Sequence, residues 1–175
     1  MTLSDLRKNV SKDEGNILVR RHPGATADEM SFFIQDSLRR FQPNKLIIFG
    51  GCNDIGFAQK NNKNAWDIAE SICKMAEEGK RSGCSIVYVS SVLPRWGKRY
   101  EKMINRVNSM LEVMCRDHGY IFLDHGDIST RHLSNDGLHP NAEGTAILKM
   151  NILSCFEGFD PTCTTFYEFY RSAVS

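Results

Sequence analysis

Four short apolar runs constrain this chain more than any other feature: "NILVR" (16–20), "KLIIF" (45–49), "SIVYV" (85–89) and "YIFL" (120–123). They are rich in β-branched and aromatic residues and nearly continuous rather than alternating, the pattern of strands covered on both faces. Amphipathic stretches separate them. Residues 27–41 carry Met30, Phe33, Ile34, Leu38 and Phe41 close to a 3–4 repeat. Residues 64–79 place Ala65, Ile68, Ala69, Ile72, Met75 and Ala76 on one face, and 100–117 do so with Ile104, Val107, Leu111 and Met114. A last pattern runs from Asn141 to about Phe156 through Ala142, Ala146, Ile147, Met150 and Leu153. Such stripes suit helices laid against a sheet. Strand followed by helix four times over predicts an α/β fold, with a doubly wound, mainly parallel sheet flanked by helices.

The chain has 175 residues, enough for one domain with its own core. That domain is expected over 1–158, followed by an aromatic C-terminal tail, 159–175, docked on it. A formal net charge of +1 speaks against a general nucleic-acid or anionic-membrane surface. No apolar run approaches the roughly 20 residues that span a bilayer. The polar opening "MTLSDLRKNV" lacks the apolar centre of a secretory signal. Cytoplasmic placement is therefore the default expectation. The six cysteines (52, 73, 84, 115, 155 and 163) form no C-x-x-C pair, so reduced thiols are expected rather than zinc or redox chemistry. Oligomeric state is not fixed by the sequence.

In a doubly wound sheet, ligands bind beyond the carboxyl ends of the strands. The loops there are "RHPGAT", "GGCND", "SSVLPRW" and "DHGD", and "NDGLHPN" precedes the last helix. Asp136 and His139 stand three apart in that final loop. A carboxylate so placed can fix an imidazole's tautomer and stabilise its protonated form. The pair can equally form a capping loop, with Asp136 on backbone amides. In "FGGCND", two glycines end a buried strand, and Asn53 can donate to a developing oxyanion or close a strand-end turn. "PGAT" offers the Gly24 amide, with Thr26 or Asp28 able to cap the next helix. Arg95, Trp96 and Phe57 are candidates for the mouth of a pocket, and His22 and His125 for substrate contact.

Together these residues resemble the SGNH hydrolases, or GDSL-type esterases, over about residues 4–155. Gly24 matches that superfamily's glycine block, Gly51-Cys52-Asn53-Asp54 its Gly-x-Asn-Asp block, and Asp136-Gly137-Leu138-His139 its Asp-x-x-His block. The resemblance implies a flavodoxin-like sheet and an oxyanion hole from Gly24, Gly51 and Asn53. It implies His139 as general base, oriented by Asp136, with no metal or organic cofactor. The substrate would be a small-molecule ester or an acylated glycan or lipid, opened through a serine acyl-enzyme.

The nucleophile block departs from the pattern. There is no Gly-Asp-Ser, and the first strand that should carry it is missing or very short. "SDLRKNV" offers Ser4, although an ungapped alignment sets Asp5 in the serine's place. Three accounts stand: an incomplete piece of an active hydrolase, a pseudoenzyme keeping the cleft as a binding or interaction domain, or Ser4 still serving as nucleophile. Ser90, Ser91 and Cys52 are the other nucleophile candidates.

Overall fold

The computed structural model describes residues 17–156 and 164–168. Chain order is β1 (Ile17–Arg21), α1 (Ala27–Phe41), β2 (Lys45–Ile48), α2 (Cys52–Phe57), α3 (Ala65–Arg81), β3 (Ile86–Ser90), α4 (Lys98–His118), β4 (Ile121–Leu123), α5 (Ala142–Leu153) and β5 (Thr164–Glu168). The strands form one sheet in the order β1-β5-β2-β3-β4, parallel throughout. This is the α/β architecture expected from the apolar runs. Residues on both sides of β2 are buried, as a strand covered on two faces requires.

Local chemistry sets the helix ends. Thr26 and Asn64 each close a capping box at the starts of α1 and α3, with Glu29 and Asp67 reaching back. Gly119 ends α4 in the left-handed region at φ 71°, where glycine carries no Cβ penalty.

The interior of the sheet holds a strand that the apolar runs do not announce. β5 lies between β1 and β2, with Thr164 opposite both Ile17 and Lys45. Its backbone serves the inner edges of both neighbours, which would otherwise leave buried N–H and C=O groups unpaired. The position expected to lack its strand is thus occupied by residues 164–168.

Two expected helix faces are corrected. In α1 the buried residues are Ala27, Met30, Ile34 and Leu38, and Phe33 turns outward. In α5 they are Gly144, Leu148 and Ile152, whereas Ala142, Ala146 and Met150 are exposed. Gly144 decides that rotation. A Cβ there would lie 2.4 Å from the His132 carbonyl oxygen, so the helix meets the 130–132 turn through its glycine. Among the described residues, no helix is long and apolar enough to cross a membrane.

Candidate active site

Because all strands run the same way, the loops after β1, β2, β3 and β4 collect along one edge of the sheet. The loop holding Asp136 and His139 is closed at its base. Leu133 and Pro140 form an antiparallel bridge, and Ser134 N–H donates to the His139 carbonyl at 2.7 Å. Gly137 takes φ 65° at the tip. One Asp136 oxygen, Oδ1, accepts the backbone N–H of Leu138 at 2.9 Å and of His139 at 3.0 Å. The other, Oδ2, is hydrogen-bonded to His139 Nδ1. Capping loop and acid–base pair are therefore the same object.

That arrangement has an electrostatic signature. Partial burial would raise the Asp136 carboxyl, but hydrogen bonds from the His139 side chain and the 138–139 amides outweigh it and hold it down to about 2. An ionised carboxylate only accepts, so the proton between the two groups sits on Nδ1.

The Gly24 and Asn53 loops face one cavity. Gly24 takes φ 78°, and its amide belongs to the turn that Thr26 closes into α1. Asn53 Nδ2 donates to the Ala25 carbonyl at 2.9 Å, which locks the amide plane beside Gly24. Asp54 is buried, and both its oxygens accept the Ala27 N–H, at 3.0 and 3.2 Å. The "GGCND" loop is thereby tied to the start of α1 at two adjacent residues. Gly51 has φ 96°, and a Cβ there would lie 2.6 Å from a Val92 methyl. Only glycine fits on both counts.

Arg95 and Trp96 connect the two halves. Arg95 Nη1 donates to the Cys52 carbonyl at 3.4 Å, and its guanidinium sits 4.5 Å from the Tyr100 ring centre. Trp96 N–H donates to the Gly137 carbonyl at 2.8 Å, and its indole Nε1–H to the Thr130 carbonyl at 3.2 Å. Phe57, named from sequence with these two, lines the cavity beside Gly24 and Asn53.

The other nucleophile candidates are placed differently from expectation. Ser90 and Ser91 are buried rather than facing the site. Ser91 Oγ accepts the His125 N–H at 3.0 Å. Ser90 Oγ meets His125 Nε2 at 2.7 Å, an apparent Ser–His pair. Its polarity is the reverse of a catalytic one. The Asn151 amide nitrogen donates to Asp127 Oδ1 at 2.9 Å and contacts His125 Nδ1 at 3.2 Å. Nδ1 is thus an acceptor, so Nε2 carries the hydrogen and donates to Ser90. His125 is buried, not a substrate contact, and burial pushes its imidazole down to about 4. His22 stacks on Phe33, ring centres 4.9 Å apart. Burial pushes the Cys52 thiol up to about 11. Ser4 lies outside the described residues.

Phe32 escaped the sequence reading, although it too lines the Gly24–Asn53 cavity. The available signal was a phenylalanine outside the apolar stripe of α1. Among the described residues, no cluster of three or more His, Cys, Asp or Glu side chains is arranged to hold a metal ion.

A parallel sheet carrying a Gly-x-Asn-Asp loop and an Asp-x-x-His loop at its carboxyl edge defines the SGNH class of α/β proteins. The chain belongs to the GDSL-like lipase/acylhydrolase family, whose model matches residues 5–147. Its fold is similar to that of a GDSL-like lipase from Bacteroides thetaiotaomicron, with TM-score 0.69 and 19% identity over 85% of this chain and 90% of that one. An acetylxylan esterase from Geobacillus stearothermophilus gives TM-score 0.66 at 14% identity, over 78% and 69%. An acetyl esterase variant with acetate ion gives 0.66 at 20%, over 75% of this chain and 66% of that one. The chain thus spans just under two thirds of that acetyl esterase. No curated protein matches the chain.

Proposed function

We propose that the protein hydrolyses a carboxylic ester or O-acyl group by a serine acyl-enzyme route. The observation that carries this is the Asp136–His139 hydrogen bond. With the proton held on Nδ1, Nε2 is the basic nitrogen of the neutral ring, and the fixed carboxylate stabilises the imidazolium that forms on proton uptake. Ser4 would be the hydroxyl activated. Its oxygen attacks the ester carbonyl, His139 takes the proton and returns it to the departing alcohol, and water then repeats the sequence on the acyl-enzyme. The developing oxyanion would be met by the amides of Gly24 and Gly51 and by Asn53. One N–H of the Asn53 amide holds Ala25; an amide has a second to give. Each such donor typically contributes about 2.7–4 kcal/mol in the transition state.

The competing reading is a non-catalytic binding domain that keeps the cleft. One observation favours it. In this superfamily's pattern an interior strand delivers the nucleophile, and here that position belongs to β5, whose carboxyl end is Glu168 rather than a serine.

Hydrolysis of p-nitrophenyl acetate and butyrate by the wild type, Ser4→Ala and His139→Ala separates the readings. Turnover abolished in both variants supports the serine route. Turnover lost only in His139→Ala keeps the base and removes Ser4. A folded wild type without turnover above buffer favours the binding domain.

A further inference from the structure

The cavity beside Gly24 and Asn53 has a volume of about 700 Å³, within the size range of small-molecule sites, roughly 300–1,000 Å³. Its other walls are Pro23, Ala25, Glu29 and three phenylalanines, Phe32, Phe33 and Phe57. These rings are unusually open to solvent: Phe32 is 80% exposed, Phe33 52% and Phe57 39%. Three exposed aromatic rings around one cavity mark a surface that an apolar ligand would cover.

The position of the histidine says which part of an ester belongs there. The departing alcohol must lie near His139, because that residue returns its proton. His139 does not line this cavity, whereas the Gly24 and Asn53 loops do. A carbonyl oxygen held by those loops therefore directs its acyl side into the aromatic walls and its alcohol side away from them.

We infer that this cavity is an acyl-chain subsite for an ester whose acyl group is a medium-length apolar chain, with Phe32, Phe33 and Phe57 as its walls. The inference rests on the esterase reading above for the placement of the carbonyl. Glu29, whose carboxylate accepts the Thr26 N–H at the cavity edge, disfavours acyl groups ending in a second carboxylate. It also repels the carboxylate product once the acyl-enzyme is hydrolysed.

Neutral amides test the subsite without needing a nucleophile. Each methylene buried from water strengthens binding by about fourfold at most, so octanamide is expected to bind the wild type at least tenfold more tightly than butanamide by calorimetry or ligand-observed NMR (about 1.4 kcal/mol). Phe32→Ser and Phe57→Ala should each shrink that ratio below about threefold. Phe32 is so exposed that its variant should keep the wild-type Tm. Trp66→Ala, in the separate groove between α3 and α4, should leave the ratio unchanged. Equal affinities for the two amides, a ratio untouched by both phenylalanine variants, or one abolished by Trp66→Ala overturns the subsite. Hydrolysis of p-nitrophenyl butyrate and octanoate keeps the two readings apart. A phenylalanine-dependent amide preference without ester turnover upholds the subsite and removes the esterase. Turnover with no amide preference does the opposite.

Discussion

Trp96 and Gly137 hold each other in two ways. The Trp96 N–H donates to the Gly137 carbonyl at 2.8 Å, and the indole lies so close that a Cβ on Gly137 would come within 2.6 Å of its ring. Gly137 also has φ 65° and is flanked by Asp136 and Leu138, so a shift there moves the acid and the base together. Gly137→Ala is expected to lower stability by about 1–3 kcal/mol through strain and overpacking. It should cut kcat/KM on a p-nitrophenyl ester by roughly ten- to a hundredfold, since small misplacements of reacting groups are costly. Adding Trp96→Ala removes the two ring contacts, at 2.6 and 2.7 Å, but leaves the Trp96 Cβ at 2.8 Å and the φ strain. The double variant should therefore recover part of the stability, giving a coupling of about 0.5–2 kcal/mol in a double-mutant cycle. Strictly additive losses would show that ring and glycine do not constrain each other.

The Asp136 carboxyl should titrate far below an ordinary aspartate. Hydrogen bonds from the His139 side chain and the 138–139 amides outweigh partial burial and hold it down to about 2, below the ordinary 3.8. A depressed carboxylate stabilises the folded state fully above its unfolded value. That contribution fades as pH falls from about 4 towards 2. Carboxyl ¹³C NMR on the wild type should find this low midpoint, and His139→Ala should raise it. Asp136→Asn should cost on the order of 10²–10⁴ in kcat, because a neutral amide cannot balance the imidazolium. A wild-type midpoint near 4 would contradict the geometry.

His125 predicts acid sensitivity away from the candidate site. Burial holds the imidazole at about 4 rather than 6.5. Between those values the unfolded chain binds the proton and the folded one does not, so stability rises with pH across the window. The contribution is complete above about 6.5 and is lost on acidification to about 4, on the order of 3 kcal/mol. Urea unfolding across pH 4–7 should show this slope. His125→Gln should be less stable at pH 7, through loss of the Ser90–His125–Asn151 bridge, yet flatter with pH. Parallel wild-type and variant profiles would show that another group carries the effect.

Cys52 should be a spectator. With its thiol pushed up to about 11, only about one molecule in ten thousand is a thiolate at pH 7. Native protein should leave this cysteine unmodified by a thiol-reactive dye until denaturant is added. Cys52→Ala should keep ester turnover within about twofold of wild type. Loss of turnover in that variant, with the fold intact, would return the thiol to the list of nucleophiles.

The parts of this protein that were legible in sequence are those governed by neighbours in the chain. The runs at 45–49 and 85–89 became β2 and β3 because continuous apolar character requires cover on two faces. The 64–79 stripe is buried as written, since a 3.6-residue period is itself local. Asp136 and His139 could be paired on paper because three residues and a glycine suffice to bring them together. Tertiary structure alone decided the rest. "TTFYE" gives no continuous apolar signal, and its interior place depends on two edges contributed by strands far back in the chain. The buried face of α5 was set by the one carbonyl that Gly144 lets it approach. Ser90, His125 and Asn151, separated by 35 and 26 residues, form a network whose proton direction follows from Asp127, another 24 residues from Asn151. Spacing in the chain carries no record of such contacts, because a hydrogen bond between distant residues exists only once packing has chosen which surfaces meet.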